Sequence, residues 1–283
     1  MKRYDKMDYR LPKRIENSNK STYGRVLNIA GSDYMTGAAY LSSVSALKVG
    51  CGYCFLCSTE RVISAVAAQT QNIVFMPLND LEKSLQENIF DVVEIGCGLS
   101  QSDTAVEIFN TTIKNISKDK ILLIDADGLN ILSKEPQIFT SLNLRNIVLT
   151  PHPKEAARLL DCTLEEVLDN TFESAQKISR IYNAITVLKT HRTVVVSPEG
   201  KTYINTTGNN SMAKAGSGDV LAGMISGFAA QKIGLFEACV IGVYLHGLSG
   251  DLAKEELTEY SVMAEDLISY IPLSIKKYTK QFC

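Results

Sequence analysis

The apolar positions of this chain change period as it runs. From Arg25 onward, short runs rich in Val, Ile and Leu end in Gly, Ser, Asp or Pro, the pattern of buried strands. They cover 25–30, 53–58, 91–95, 121–125, 147–150 and 184–189. Between them apolar residues recur at helical spacing. Leu41, Val44 and Leu47 share a face of a helix that opens at Gly37 and stops at Gly50, and further helices are predicted at about 60–70, 103–116, 154–160 and 164–183. Residues 193–197 and 202–205 flank Pro198-Glu199-Gly200 as a hairpin, and the remainder reads as helix over about 217–231, 235–257 and 264–280.

Alternating strands and helices predict an α/β fold, a mainly parallel sheet with helices on both faces. No linker interrupts the elements after residue 25, so 25–283 reads as one domain and the polar, Lys- and Arg-rich stretch 1–24 as a surface lead-in. In such sheets ligands bind beyond the carboxyl ends of the strands. Those ends are Gly31-Ser32-Asp33, Gly96-Cys97-Gly98, Asp125-Ala126-Asp127, Thr150-Pro151-His152 and Lys189-Thr190. Small and polar residues converging on one edge raise the expectation of a nucleotide or phosphate site.

Composition narrows the class. A chain of 283 residues with 45% apolar content can bury a sizeable core, and a formal charge of −2 argues against a general nucleic-acid binder. It has no uninterrupted apolar run of about 18 residues and no apolar N-terminal segment, so a cytoplasmic protein with no membrane partner is expected. Seven scattered cysteines fit reduced thiols better than disulfides. Cys51, Cys54 and Cys57 have an iron–sulfur-like spacing. On a strand, however, residues three apart face opposite ways, so these read as small buried residues.

The most informative stretch is Gly208-Asn209-Asn210-Ser211-Met212-Ala213-Lys214-Ala215-Gly216-Ser217-Gly218-Asp219, followed by Val220-Leu221-Ala222-Gly223. It begins as a polar loop and becomes a helix at Gly216 to Asp219. A helix N-terminus presents unpaired N–H groups and the positive end of a dipole, and Gly216 and Gly218 leave no Cβ before an incoming anion. Asp219 either caps the helix or acts as general base toward a hydroxyl that attacks a phosphate.

Other motifs are weaker. Gly96-Cys97-Gly98 lacks the third glycine of a dinucleotide-binding fingerprint, and no P-loop sequence is present. His152, fixed between two prolines, suits a ligand contact or a structural role. Glu155 reads as a first-turn helix acid or as a ligand to metal-bound water. Asp125 and Asp127 read as a solvated turn or as site residues, Lys189 as solvated or as a phosphate contact, and His246 as a packed core residue.

Together these residues resemble a known family. Gly216-Ser217-Gly218-Asp219 resembles the G-x-G-D signature of ribokinase-like kinases. More narrowly, the chain is similar to the ADP- or ATP-dependent (S)-NAD(P)H-hydrate dehydratases. The similarity rests on Tyr23 to Leu27, Gly37-Ala38-Ala39, Asp125 to Asn130, Thr150-Pro151-His152-Pro153-Lys154-Glu155, Gly208-Asn209, Met212-Ala213, Gly216 to Gly223 and Gly242 to Gly247. The family usually has Gly where Thr190 stands, Gly-Asn-Pro-Gly at 208–211, and often Gly-Pro-Gly at 96–98.

The resemblance implies a three-layer α/β/α ribokinase-like fold and a hydro-lyase activity. A hydrated NADH or NADPH would be phosphorylated on its hydroxyl by ADP or ATP with Mg²⁺, and phosphate would then leave. Asp219 would be the catalytic base and Gly216, Ser217 and Gly218 the anion hole. Ala39, Gly98, Asn130, His152 and Asp219 would bind the hydrate. Lys189, Thr190, His191, Arg192, Thr193 and Gly218 would bind the nucleotide, and Glu155 a metal through water. The resemblance further implies a homotetramer linked functionally to a separate epimerase. The alternatives are a small-molecule kinase of the same fold, acting on a vitamin precursor or sugar, and a non-enzymatic nucleotide-binding module.

Overall fold

The computed structural model describes residues 3–4, 9–136 and 144–282. Its strands are β1 (Arg3–Tyr4), β2 (Arg25–Ile29), β3 (Tyr53–Ser58), β4 (Val74–Pro77), β5 (Val92–Ile95), β6 (Ile121–Ile124), β7 (Asn146–Leu149), β8 (Ile185–Leu188), β9 (Val194–Val196) and β10 (Thr202–Ile204). They form one sheet in the order β1-β10-β9-β8-β7-β6-β5-β2-β3-β4. Neighbours run parallel except that β9 is antiparallel to both β8 and β10, the hairpin turning at Gly200. The central strands β5 and β6 are almost wholly buried and apolar but for Glu94, because both faces are covered.

The helices are α1 (Thr36–Lys48), α2 (Glu60–Ala67), α3 (Leu81–Gln86), α4 (Asp103–Asn115), α5 (Ala126–Lys134), α6 (Pro153–Leu160), α7 (Leu164–Asp169), α8 (Thr171–Ile181), α9 (Ser217–Ala230), α10 (Leu235–Leu257) and α11 (Ala264–Thr279). Helices α3 to α8 lie over one sheet face, where Phe109, Leu129, Leu159 and Ile178 meet Ile95, Ile124 and Leu149. The opposite face carries α9, α10 and α11, with Met224, Ile241 and Ile268 against Val26, Cys54 and Val92. Three layers result. Cys54 and Cys57 join the cores on opposite faces, as expected of strand residues three apart.

Several elements were not legible. The short β1, β4 and α3 have too few residues to show a period. Residues 164–183 form two helices because Asn170 leaves helical geometry, at φ −129° and ψ 50°. The stretch Asp125 to Gly128 is not a turn but the start of α5. Asp125 sits at the N-cap position, yet its side chain caps nothing.

Helix α9 positions the site. Its apolar residues are buried all round, so it is a core helix rather than a surface one. Gly223 and Gly227 let it approach α1 closely. A Cβ on Gly223 would lie 2.0 Å from the Ser42 carbonyl oxygen, and one on Gly227 2.5 Å from that of Ala46. The helix is therefore seated deep against α1, with its first turn at the carboxyl edge of the sheet. Helix α10 has the length and composition of a membrane span, but 72% of its apolar window is buried within this fold.

Candidate active site

The loop before α9 is pinned from both sides. Thr207 Oγ1 donates to the Tyr244 carbonyl at 2.7 Å, and Asp251 accepts from the Gly208 amide at 3.0 Å and from Asn209 Nδ2 at 2.8 Å. The Asn209 side-chain oxygen in turn accepts from the amide and hydroxyl of Ser211. Asn210 and Ser211, which depart from the family's Pro-Gly, thus leave an ordered turn. Asp251 was not singled out in the sequence, because an acid on a long apolar helix carries no local signal.

Gly216 turns the chain into α9. Its φ of +91° favours glycine, and a Cβ there would meet Leu41 Cδ1 at 2.5 Å and Ala264 Cβ at 2.9 Å. No side chain caps the helix; the Ser217 amide donates to the Lys214 carbonyl at 3.3 Å, and the amides that follow it in the first turn border the crevice. Asp219, in the first turn, makes no capping bond. Burial, followed by the charge of Asp125, pushes its carboxyl up to about 6, while Cys97 and Lys189 oppose the rise.

Beside it lies an ion pair. Lys189, at the end of β8, places Nζ 2.5 Å from Oδ1 of Asp125, which is 1% exposed. This bond explains why Asp125 does not cap α5. Burial alone would lower the Lys189 ammonium, but Asp125 and Glu155 outweigh it and hold it above its ordinary value. A Cβ on Gly218 would stand 3.5 Å from Lys189 Nζ and 3.9 Å from Asp125 Oδ2, so the ion pair, Gly218 and the start of α9 share one crevice.

His152 and Glu155 form the opposite wall. His152 Nδ1 accepts from the amides of Lys154 and Glu155, which leaves the ring proton on Nε2, 3.2 Å from Glu155 Oε1. Glu155 Oε2 accepts the His152 amide at 2.8 Å, completing a capping box at the start of α6. Both carboxylate oxygens of Glu155 are therefore engaged by His152. Burial and the Lys189 charge lower the His152 ring below its ordinary value and keep it neutral at pH 7.

A cavity of about 930 Å³ joins these groups. It is lined by Asp125, His152, Glu155, Lys189 through Thr193, Gly208 and the whole Gly216 to Asp219 turn. Of the residues expected from sequence, Asp219, Gly216, Ser217, Gly218, His152, Glu155, Lys189, Thr190, His191, Arg192 and Thr193 meet here. Ala39, Gly98 and Asn130 do not line it. Ala39 is fully buried, Gly98 is wedged against Ala38 and Met35, and Asn130 is held by Arg158 Nη1 at 2.6 Å. His246, expected in the core, is largely buried but also reaches the cavity, with Nε2 3.4 Å from Ser217 Oγ. Burial lowers its ring to about 4, so it is neutral. Helical spacing alone could not separate the two placements, because α10 is apolar on most sides.

Among the described residues, no group of three or more His, Cys, Asp or Glu is placed to hold a metal. The arrangement is instead an anion-binding turn with one partly buried cation and the Asp219 carboxylate, which meets the Cys97 thiol but caps nothing. It suits holding a phosphoryl group while a proton is removed nearby.

The comparisons agree with this geometry. A crystal structure of a ribokinase-like superfamily protein from Enterococcus faecalis matches with a TM-score of 0.86 at 29% identity, covering 95% of this chain and 93% of that one. The ADP/ATP-dependent NAD(P)H-hydrate dehydratase from Bacillus subtilis, co-crystallised with ATP and Mg²⁺, matches with a TM-score of 0.82 at 28% identity, covering 95% and 94%. The ADP-dependent (S)-NAD(P)H-hydrate dehydratase of Neisseria meningitidis is 38% identical over 244 residues, 86% of this chain and 81% of that protein. A bifunctional NAD(P)H-hydrate repair enzyme Nnr from Moorella thermoacetica is 36% identical over 282 residues, and the chain spans about half, 53%, of its length. The family model described as NAD(P)H-hydrate dehydratase matches residues 26–273, and the chain belongs to that family, with the ribokinase-like fold.

Proposed function

We propose that this chain dehydrates the S epimer of hydrated NADH or NADPH at the expense of ADP or ATP, restoring the dihydronicotinamide. The observation that carries the reading is Asp219. It lies in the first turn of α9, caps nothing, and is partly buried beside the Lys189–Asp125 pair in the cavity that holds the anion-binding turn.

The chemistry follows from these groups. Hydroxide is a poor leaving group and phosphate a good one. Asp219 accepts the proton of the hydrate hydroxyl as its oxygen attacks the terminal phosphoryl of the nucleotide. The N–H groups of the Gly216 to Gly218 turn and the dipole of α9 stabilise charge on the transferred group. Lys189, kept charged by Asp125, adds a fixed cation. The ring nitrogen lone pair then expels phosphate, and loss of a proton from the adjacent carbon restores the double bond.

Thr190 to Thr193 form the nucleotide side of the cavity, with Thr193 Oγ1 donating to the Thr190 carbonyl at 3.2 Å. Mg²⁺ enters this reading as a partner of the nucleotide phosphates. Such ions keep most of their waters and need few protein ligands, which fits a site where, among the described residues, no group of three or more His, Cys, Asp or Glu is gathered. The bound ion would neutralise phosphate charge. The same reading includes residues 25–283 as one catalytic domain, a cytoplasmic homotetramer, and a functional link to an epimerase acting on the hydrate.

The test is direct. Hydrated NADH incubated with the protein and either ADP or ATP should regain dihydronicotinamide absorbance and release free phosphate. No recovery with either donor, or accumulation of a stable phosphorylated product, would remove the dehydratase reading in favour of a kinase.

A further inference from the structure

Beneath the crevice lies a carboxyl that the mechanism above does not use. Glu94 on β5 is fully buried. Its sheet neighbours are Asn28 on β2 and Leu123 on β6. Cys97 Sγ lies 3.7 Å from Glu94 Oε1 and 4.0 Å from Asp125 Oδ2, a thiol bridge between the two acids. Asp219 and Ser226 face it from α9, and Cys51 and Cys54 are the titratable groups on the β3 side. Among the described residues no cation pairs with Glu94, since Lys189 is committed to Asp125.

Three buried oxygens here lack a hydrogen-bond partner: Glu94 Oε2, Asn28 Oδ1 and Ser226 Oγ. Asn28 has already given its amide hydrogens to Ser42 and Ser43, at 2.7 and 2.9 Å, so its orphan oxygen requires a donor. An ionised Glu94 offers only acceptors. A protonated Glu94 has one O–H to give to Asn28 across the neighbouring strand, and Ser226 can donate to its other lone pairs. Charge points the same way. Asp125 and Asp219 share the Lys189 ammonium and both act on Glu94, so with all three acids ionised this group would carry two surplus negative charges before any phosphate arrived.

We propose that Glu94 is a proton-holding positioning residue, neutral during turnover and coupled through Cys97 to the carboxylates above it, so that its ionisation silences the site. The catalytic half of this inference rests on the phosphoryl-transfer reading; the proton-holding half does not. Burial, with the charges of Asp125 and Asp219 adding to it and Ser226 and Cys97 partly opposing it, raises Glu94 to about 8, above Asp219 at about 6. Cys97, standing where the resembled family often has proline, supplies a link proline could not.

The experiment compares wild type with Glu94→Gln, an isostere of the neutral acid. Stability is followed by urea unfolding from pH 4 to 10. A carboxyl raised in the folded state contributes stability that is full below about 4.5 and is lost as pH rises to about 8. The gap in midpoint between variant and wild type should therefore widen over that window and stay constant above it. Repair rates should match within about twofold at pH 7 and diverge by about tenfold at pH 9, because a group titrating near 8 is only about one-tenth protonated there. A pH-independent stability gap overturns the proposal outright. A widening gap with superimposable pH–rate profiles overturns the positioning role. If wild type itself shows no repair, the functional reading fails and the stability gap alone decides whether Glu94 holds its proton. Should the variant not fold, a protonated-carboxyl infrared band that persists in Glu155→Gln at pH 7 and is lost by pH 9 supports the proposal, because Glu155 is itself raised to about 7, and its absence at pH 7 overturns it.

Discussion

Replacing Gly218 by alanine separates the anion site from the fold that carries it. The new methyl would lie 3.5 Å from Lys189 Nζ and 3.9 Å from Lys189 Cε and Asp125 Oδ2, ordinary contact distances, so the protein need not move. The residue is in the first turn of α9, where alanine is the better helix former by up to about 1 kcal/mol. Stability should therefore stay level or rise by several tenths to about 1 kcal/mol. Activity should not survive, because the methyl stands between the helix amides and the phosphoryl oxygens they must reach. Losing one such donor costs about 10² to 10³ in rate, or about 3 to 4 kcal/mol of transition-state stabilisation. The assay pairs urea unfolding with kcat for hydrate repair on the same preparation. Gly216→Ala is the contrast. Its φ of +91° and a 2.5 Å clash with Leu41 should lower stability and activity together. If Gly218→Ala kept wild-type turnover, or lost it only by unfolding, the placement of the phosphoryl group at this turn would be wrong.

Two further outcomes follow from the charges. Lys189→Met leaves Asp125 buried at 1% exposure without its cation, and removing one partner of a buried pair costs about 3–5 kcal/mol, readable as a lower urea midpoint. Because Asp219 titrates at about 6 and acts when ionised, kcat/KM should fall tenfold per unit as pH drops below about 6; a profile flat to pH 4.5 would contradict the assignment.

How much of this was legible in the sequence differs by element. Strands β2, β3, β5 to β8 and the hairpin were readable because two-sided burial makes each a short, mostly apolar run, even where a polar residue such as Asn28 or Glu94 sits within it. The loop-to-helix switch at Gly216 was readable because glycine and polar residues give way abruptly to helical spacing. What was hidden depends on partners distant in the chain. Asp125 stays open between a turn residue and a site residue in the sequence because its ion pair with Lys189, 64 positions later, cannot be seen locally. Asp251, Glu94 and the cavity-facing side of His246 share that cause. Each is a polar residue inside an apolar element, and only the packed structure shows what it faces.

The central claim is that Asp219 removes a proton while backbone amides of the same turn hold the phosphoryl group. Asp219→Asn keeps the size of the side chain and removes its basicity. Calorimetry of ADP and ATP binding, set beside repair turnover, should show nucleotide affinity within a few-fold of wild type and a rate lower by about 10² to 10⁴. Turnover at the wild-type rate would contradict the account, and so would loss of rate explained wholly by loss of nucleotide binding.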